Sequence, residues 1–228
     1  MKTVLAIVAA AGSGNRLRKR IPKLYLKIGK KPLLAYSLLC LERSKKIDQI
    51  IVVSARRYMK LTQRIVRDYN IAKVRKIVAG GKTRSESVNN GLKHVPPKTD
   101  LVLIHDGARP FISQKIIDTC IKTGLRYKAV ICAVPCVSTI KSVDEQLKVI
   151  TTLNRNMLWQ VQTPQVFDYK IIKRAYQMVE GKKLSFSDDS ALVEKLGHKV
   201  KVVFGSYLNM KITTPEDLKL ARAIADFN

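Results

Sequence analysis

Five short apolar runs, set apart by stretches of helical period, constrain this chain more than any other feature. The runs are Thr3–Ala9, Gln49–Val53, Val74–Val78, Leu101–Ile104 and Ala129–Val134. Apart from Val74–Val78, which carries Arg75 and Lys76, each is almost continuously apolar, as a strand is when both faces of its sheet are covered. Between them lie helical patterns: Leu33–Glu42 with Leu33, Leu34, Leu38 and Leu41 on one face, a stretch near Tyr58–Tyr69, one from about Ser85 to Lys93, and one near Gln114–Arg126. Strand and helix in alternation predict an α/β fold, a doubly wound and mostly parallel sheet with right-handed crossovers. Ligands of such sheets bind beyond the carboxyl ends of the strands. Three polar segments fall there: the loop after Ala9, Gly80-Gly81, and Asp106 to Pro110.

The alternation breaks after Val134. Ile140, Ser142 and Val143, then Leu147, Val149, Thr151 and Leu153, flank the turn-like Asp144-Glu145-Gln146. This pattern predicts an inserted β-hairpin arm over about 136–160. A hairpin cannot build its own core, so its apolar face is expected to pack on something else, such as a second subunit. Helices are expected near Tyr169–Glu180 and Ser187–Leu196, a strand at Lys199–Val203, and a last helix from about Pro215. With no linker and no internal repeat, residues 1–228 are expected to form one domain carrying the arm.

Composition excludes several classes. With 46% hydrophobic residues over 228, the chain can bury a core, which rules out wholesale disorder. Four cysteines without a C-x-x-C pair, and three scattered histidines, make neither a disulfide scaffold nor a zinc signature. A reducing cytoplasm is the expected setting. Met1-Lys2 followed by Val4–Ala11 imitates a short secretory signal, but a strand leading into Gly12-Ser13-Gly14 explains the same letters. No uncharged stretch nears the ~18 apolar residues of a membrane span. The charge is extreme: 43 Lys+Arg against 17 Asp+Glu, a formal net charge of +26. Nucleic-acid binding is one reading of that balance. The cations run from Lys2 to Arg222 with no tail, zinc finger, RNP motif or heptad array, so solvated basic faces that attract small anions are favoured over nucleic acid.

Chemistry-bearing residues cluster at the three strand ends. In Ala9-Ala10-Ala11-Gly12-Ser13-Gly14-Asn15-Arg16, small residues would let the backbone wrap a phosphate chain and turn its N–H groups on the oxygens. Arg16, and Lys23 after the rigid Pro22, supply positive charge where a transition state gathers negative charge. An ordinary tight turn with solvated cations fits the same letters. Gly80-Gly81 with Arg84, Ser85 and Ser87 suits recognition of a base by backbone groups and a hydroxyl; a turn closed by an N-cap serine is the plainer alternative. Asp106, at the third strand end, is either a helix cap or a Mg²⁺ ligand in a phosphate site. His105 has no nucleophile to serve and is read as structural.

Taken in order, Ala10-Ala11-Gly12-x-Gly14-x-Arg16, Pro22-Lys23, Gly80-Gly81, His105-Asp106-Gly107-Ala108-Arg109-Pro110, Arg155-Asn156-x-Leu158-Trp159, Gln162-Thr163-Pro164-Gln165 and Lys211-Ile212-Thr213-x-Pro215-Glu216-Asp217-Leu218 resemble the 2-C-methyl-D-erythritol 4-phosphate cytidylyltransferase family over nearly the whole chain. The resemblance implies a Rossmann-like nucleotidyltransferase fold and attack of a polyol phosphate on CTP, with Mg²⁺ or another divalent cation at Asp106. It implies that Ala10, Ala11, Gly12, Gly14, Gly81, Ser87, Asp106 and Gly107 hold CTP together with Arg16 and Lys23. Arg16, Lys23, Arg155 and Lys211 are then the catalytic positions. Asp106, Arg109, Thr139, Arg155, Thr163, Ser187 and Lys211 would hold methylerythritol phosphate. Thr139 and Arg155 lie on the arm, which in this family crosses a homodimer and completes the neighbour's site.

Such a reaction needs no protein nucleophile and no strong base, because the attacking phosphate is already anionic; positioning and cations carry it. The sequence departs from the family pattern at Ser187 (usually Thr), Gly107 (commonly Ala), Lys82 and Asn154. A sister activity on ribitol 5-phosphate shares most of these motifs, and the Arg155–Trp159 segment favours methylerythritol phosphate.

Overall fold

Alternation within the first strand divides the core in two. The structure, a computed structural model, describes residues 2–12, 22–180, 186 and 188–226. After β1 (Val4–Ala10) come a small hairpin, β2 (Lys27–Ile28) and β3 (Lys31–Pro32), then α1 (Leu33–Arg43), β4 (Gln49–Ser54), α2 (Met59–Asp68), β5 (Val74–Ala79), α3 (Arg84–Leu92), β6 (Leu101–Asp106), α4 (Gln114–Tyr127) and β7 (Ala129–Pro135). The second half carries β8 (Lys141–Val143), β9 (Val149–Thr152), β10 (Trp159–Asp168), α5 (Tyr169–Val179), α6 (Ser190–Lys195), β11 (Lys201–Phe204) and α7 (Pro215–Asp226). Val4, Ala6, Val8 and Ala10 face the leucines of α1 and the isoleucines of α4. Leu5 and Ile7 face Val88 and Leu92 of α3, Ile172 and Tyr176 of α5, and Leu192 and Val193 of α6. Both faces of the sheet's centre are therefore covered, which is why β1, β4, β6 and β7 show no polar alternation.

Among the described residues, seven strands form one sheet in the order β11-β7-β10-β6-β1-β4-β5. The β1–β4, β1–β6, β4–β5 and β7–β11 pairs are parallel, and β10 runs antiparallel to both β6 and β7. The doubly wound, mostly parallel sheet expected from sequence is present. From β1 the chain winds outward through β4 to β5, then returns to place β6 on the other side of β1. That reversal makes the crevice between the ends of β1 and β6 the topological switch point.

β10 corrects the sequence reading, which expected no strand between the arm and the Tyr169 helix. Its Gln160, Gln162, Thr163 and Gln165, together with Pro164, look unlike a central strand. The register shifts between Val161 and Gln165, at a cis Thr163–Pro164 peptide, so the ladder with β7 is interrupted where the proline falls. The segment after Gly81 differs too: α3 begins at Arg84, and its cap is Thr83, whose hydroxyl accepts the Glu86 N–H at 3.0 Å, rather than a serine. The helix expected over 187–196 is shorter, spanning Ser190–Lys195.

The arm prolongs the β7–β10 pair. Cys136 N donates to Leu158 O at 2.9 Å, and β8 pairs with β9 beyond it as a separate two-stranded sheet. Asp144 Oδ1 closes the turn by accepting the N–H groups of Gln146 and Lys148, with Leu147 at φ 62°. Residues 143–157 are exposed throughout. Among the described residues, no helix is long and apolar enough to cross a membrane.

Candidate active site

The ends of β1, β5 and β6 converge on a cavity of about 600 Å³. Ala9 is in register with Asp106 across β1–β6, so the glycine loop after β1 and the carboxylate ending β6 start side by side. Ala11 and Gly12 form one wall; Gly81 to Arg84 and Ser87 form another; Lys23, Lys211 and Thr213 close the far side.

Each wall has a local cause. Pro22, at φ −60°, leads into a single 3-10 turn, Lys23–Tyr25. Leu24 is buried, and Tyr25 Oη lies 2.9 Å from Thr62 Oγ1 and 3.2 Å from Ser54 Oγ, so the two residues after Lys23 pin the turn. Lys23 Nζ donates to Ile212 O at 2.6 Å. Gly80 permits the close approach of two strand ends: a Cβ there would overlap Ala11 Cβ and the Ser87 hydroxyl. Ser87 Oγ accepts from Gly81 N at 3.1 Å and donates to Thr83 O at 2.8 Å, which fixes the loop.

Asp106 is the electrostatic centre. Its Oδ1 lies 3.0 Å from Arg84 Nε, its Oδ2 lies 2.7 Å from Lys211 Nζ, and Arg109 Nε is 4.0 Å away. Burial would raise its pKa, but Arg84, Lys211 and Arg109 outweigh that and hold the carboxyl well below the usual carboxylate range. Burial pushes the Arg109 guanidinium down. Arg84 is moved the other way, its burial overcome by Asp189 and Asp106.

The residues singled out from sequence divide into four groups. Ala11, Gly12, Lys23, Gly81, Ser87, Asp106 and Lys211 line the cavity, with Ala10 buried in the strand behind it. Gly107 lies at its edge, donating its N–H to Ala9 O at 3.0 Å, with Leu34 Cδ1 2.9 Å from where a Cβ would stand. A second group is built into the scaffold. Arg109 is buried and its Nη1 donates to Asn209 O at 2.7 Å. Thr163 Oγ1 accepts the Asp106 N–H at 3.0 Å and lies 3.1 Å from His105 Nδ1. Thr139 and Arg155 are exposed on the arm and do not border the cavity; Arg155 Nη1 donates to Val137 O at 3.1 Å. Gly14, Arg16 and Ser187 fall outside the described residues. His105, read as structural, is fully buried with Nε2 3.2 Å from Arg109 O.

Sequence reasoning passed over Asp189, which holds Arg84 from behind, and Tyr176, which donates to Asp189. A signal existed: Asp188-Asp189 is an acidic pair in a chain with 17 acidic residues against 43 basic ones. The donor chemistry also bears on a metal. Among the described residues no three His, Cys, Asp or Glu side chains come together. Mg²⁺ at nucleotide sites takes one or two carboxylates and completes its shell with phosphates and water. Asp106, the one carboxylate lining the cavity among the described residues, is buried and ionised and fits a nucleotide-borne ion of that kind.

A cavity of this size at a switch point, with ammonium groups and a small-residue loop, can receive a nucleoside triphosphate and stabilise charge on transferring oxygens. Comparison with known proteins agrees. The family profile described as 2-C-methyl-D-erythritol 4-phosphate cytidylyltransferase matches residues 4–226. A protein of that name from Alkaliphilus metalliredigens is 45% identical over 97% of this chain and 92% of its own. One from Halalkalibacterium halodurans is 43% identical over 96% and 95%. The crystal structure of 4-diphosphocytidyl-2C-methyl-D-erythritol synthase from Anaerococcus prevotii superposes with a TM-score of 0.88 at 37% identity, covering 99% of this chain and 96% of that one. The Thermus thermophilus enzyme gives 0.79 at 28% identity, covering 99% and 100%.

Proposed function

The chain belongs to the 2-C-methyl-D-erythritol 4-phosphate cytidylyltransferase family, and from that premise we infer how its cavity works. The reaction joins CTP to 2-C-methyl-D-erythritol 4-phosphate, giving the CDP-linked methylerythritol and pyrophosphate in the non-mevalonate isoprenoid pathway. One observation carries the mechanistic reading: Lys23 Nζ rests on Ile212 O while Lys211 Nζ rests on Asp106, so one ammonium group is anchored on the segment that carries the other, and the second on the carboxylate that ends β6.

In this reading the CTP phosphates follow the loop from Ala10 to Gly14, and the base lies against Gly81 and Ser87. The phosphate monoester oxygen of the polyol attacks the α-phosphorus in line; the bond to the β-phosphate oxygen breaks and pyrophosphate departs, with no covalent enzyme intermediate. Lys23 and Lys211, with Arg16 assigned from the family pattern, offset the negative charge on the phosphoryl oxygens. Asp106 would hold Mg²⁺ arriving on CTP, which neutralises charge on the phosphate oxygens when bound. Gly107 and Asp106 flank the nucleotide; by the family pattern Arg109, Thr163 and Ser187 are assigned to the polyol phosphate side, Arg109 and Thr163 acting from buried positions beside Asp106.

Thr139 and Arg155 project on an exposed arm, and we assign them to the site of a second copy. Supporting this is the apolar surface on and beside the arm: Leu147, Met157 and Phe204 are 81%, 78% and 71% exposed. A homodimer built on 1–228 as one domain with its arm accounts for that surface. The +26 charge is read as attraction for anionic substrates in a cytoplasmic enzyme rather than as a nucleic-acid site.

The test is to separate binding from chemistry. Lys23→Ala is expected to lower kcat by about 100-fold or more while CTP affinity by calorimetry changes only several-fold. A loss confined to affinity would remove the transition-state role.

A further inference from the structure

Arg84 opens α3 directly after the Thr83 cap and faces the cavity. Its guanidinium divides between two carboxylates: Nε lies 3.0 Å from Asp106 Oδ1, and Nη2 lies 2.8 Å from Asp189 Oδ2. Asp189 is fully buried as the N-cap of α6, whose Leu192 and Val193 pack on the face of the sheet opposite α1. A buried carboxylate is tolerated only when it is paired and hydrogen-bonded. Arg84 provides the pairing, and Tyr176 of α5 donates its hydroxyl to Asp189 Oδ1 at 2.5 Å. Tyr176 is itself 3% exposed and its pKa is raised well above the ordinary value, by burial first and then by the Asp189 charge. Next to it, Asp188 Oδ2 accepts from Gln165 Nε2 of β10 at 2.8 Å, which keeps the start of α6 in place.

These contacts form a line, Tyr176–Asp189–Arg84–Asp106, from the hydrophobic core to the cavity wall. Asp106 has a second close cation in Lys211, but the lysine is a point charge on a flexible stem whose side chain is 36% exposed. Arginine is a planar fork, and with one tine fixed on a buried anion the other has a set direction. We propose that Arg84, braced by Asp189 and Tyr176, is a positioning residue for cytidylyl transfer: it holds the Asp106 carboxylate in its working orientation and ties the start of α6 to the Gly81 loop. The inference rests on the reading of the cavity as the cytidylyl-transfer site.

The test is a double-mutant cycle with kcat, KM for both substrates and CTP affinity measured on folded protein. Arg84→Lys keeps the charge but cannot span both carboxylates, and is expected to cost about 100-fold in kcat. Tyr176→Phe removes only a buried hydroxyl away from the cavity and is expected to cost about tenfold in kcat, with CTP affinity within a few-fold of wild type. Because Tyr176 acts through Arg84, the double variant should be no slower than Arg84→Lys alone. Multiplying effects, unchanged kcat in Arg84→Lys, or a Tyr176→Phe defect seen only in melting temperature would overturn the proposal. A wild-type enzyme that turns over neither substrate would instead overturn the cavity's assignment, so the two failures are distinct.

Discussion

His105 stands beside the most charged carboxylate of the cavity, yet its own bonds all go to the scaffold. The Asp106 N–H donates to Thr163 Oγ1, and Nε2 of the imidazole faces the Arg109 carbonyl. The Thr163 hydroxyl hydrogen is therefore directed to Nδ1, and the ring proton sits on Nε2. Burial lowers its pKa to about 4 from an ordinary 6.5. Unfolded protein takes up a proton near 6.5, and folded protein only near 4. Stability is therefore complete above about pH 6.5 and falls as pH drops through that window, by ~3 kcal/mol in all. Urea midpoints of EDTA-treated protein from pH 7 to 4.5 should show this slope, and His105→Asn should flatten it. An equal slope in both proteins would place the titration elsewhere. At this scale the sequence was partly legible. Lys23, Asp106 and Gly81 could be named because charge and missing side chains declare a phosphate site. That Thr163 spends its hydroxyl on its neighbours depends on β10, which the sequence conceals.

The central parallel strands β1, β4, β6 and β7 were legible because burial on both faces leaves a nearly unbroken apolar run in each. β10 was not, since it carries two buried glutamines whose amides are consumed by tertiary bonds. Gln162 donates to Ser206 O at 2.8 Å, and Gln165 bridges to α6, donating to Asp188 and accepting the Ser190 N–H at 3.2 Å. These side chains look like surface polarity until the elements they join are known. Gln165→Leu should therefore destabilise the fold by ~1–3 kcal/mol in urea titrations, because the Ser190 N–H loses its acceptor inside the protein. A change under ~0.5 kcal/mol would mean that α6 is held by its apolar face alone.

At the scale of the whole molecule, the hairpin was expected from its alternation and the want of a core beneath it, and it stands away from the sheet as an exposed extension of β7 and β10. If the arm of one copy completes the site of another, two inactive variants can repair each other. After subunit exchange, Lys23→Ala mixed with Arg155→Ala should recover about a quarter of wild-type activity, because half the dimers are mixed and each has one intact site. No recovery after proven exchange would confine each site to a single chain. The central claim, that this cavity transfers cytidylyl to methylerythritol phosphate, has a direct test. Pyrophosphate release from CTP and Mg²⁺ is measured with methylerythritol 4-phosphate and, under identical conditions, with ribitol 5-phosphate. Turnover with methylerythritol phosphate alone is the expected result; turnover with ribitol phosphate alone would contradict the account.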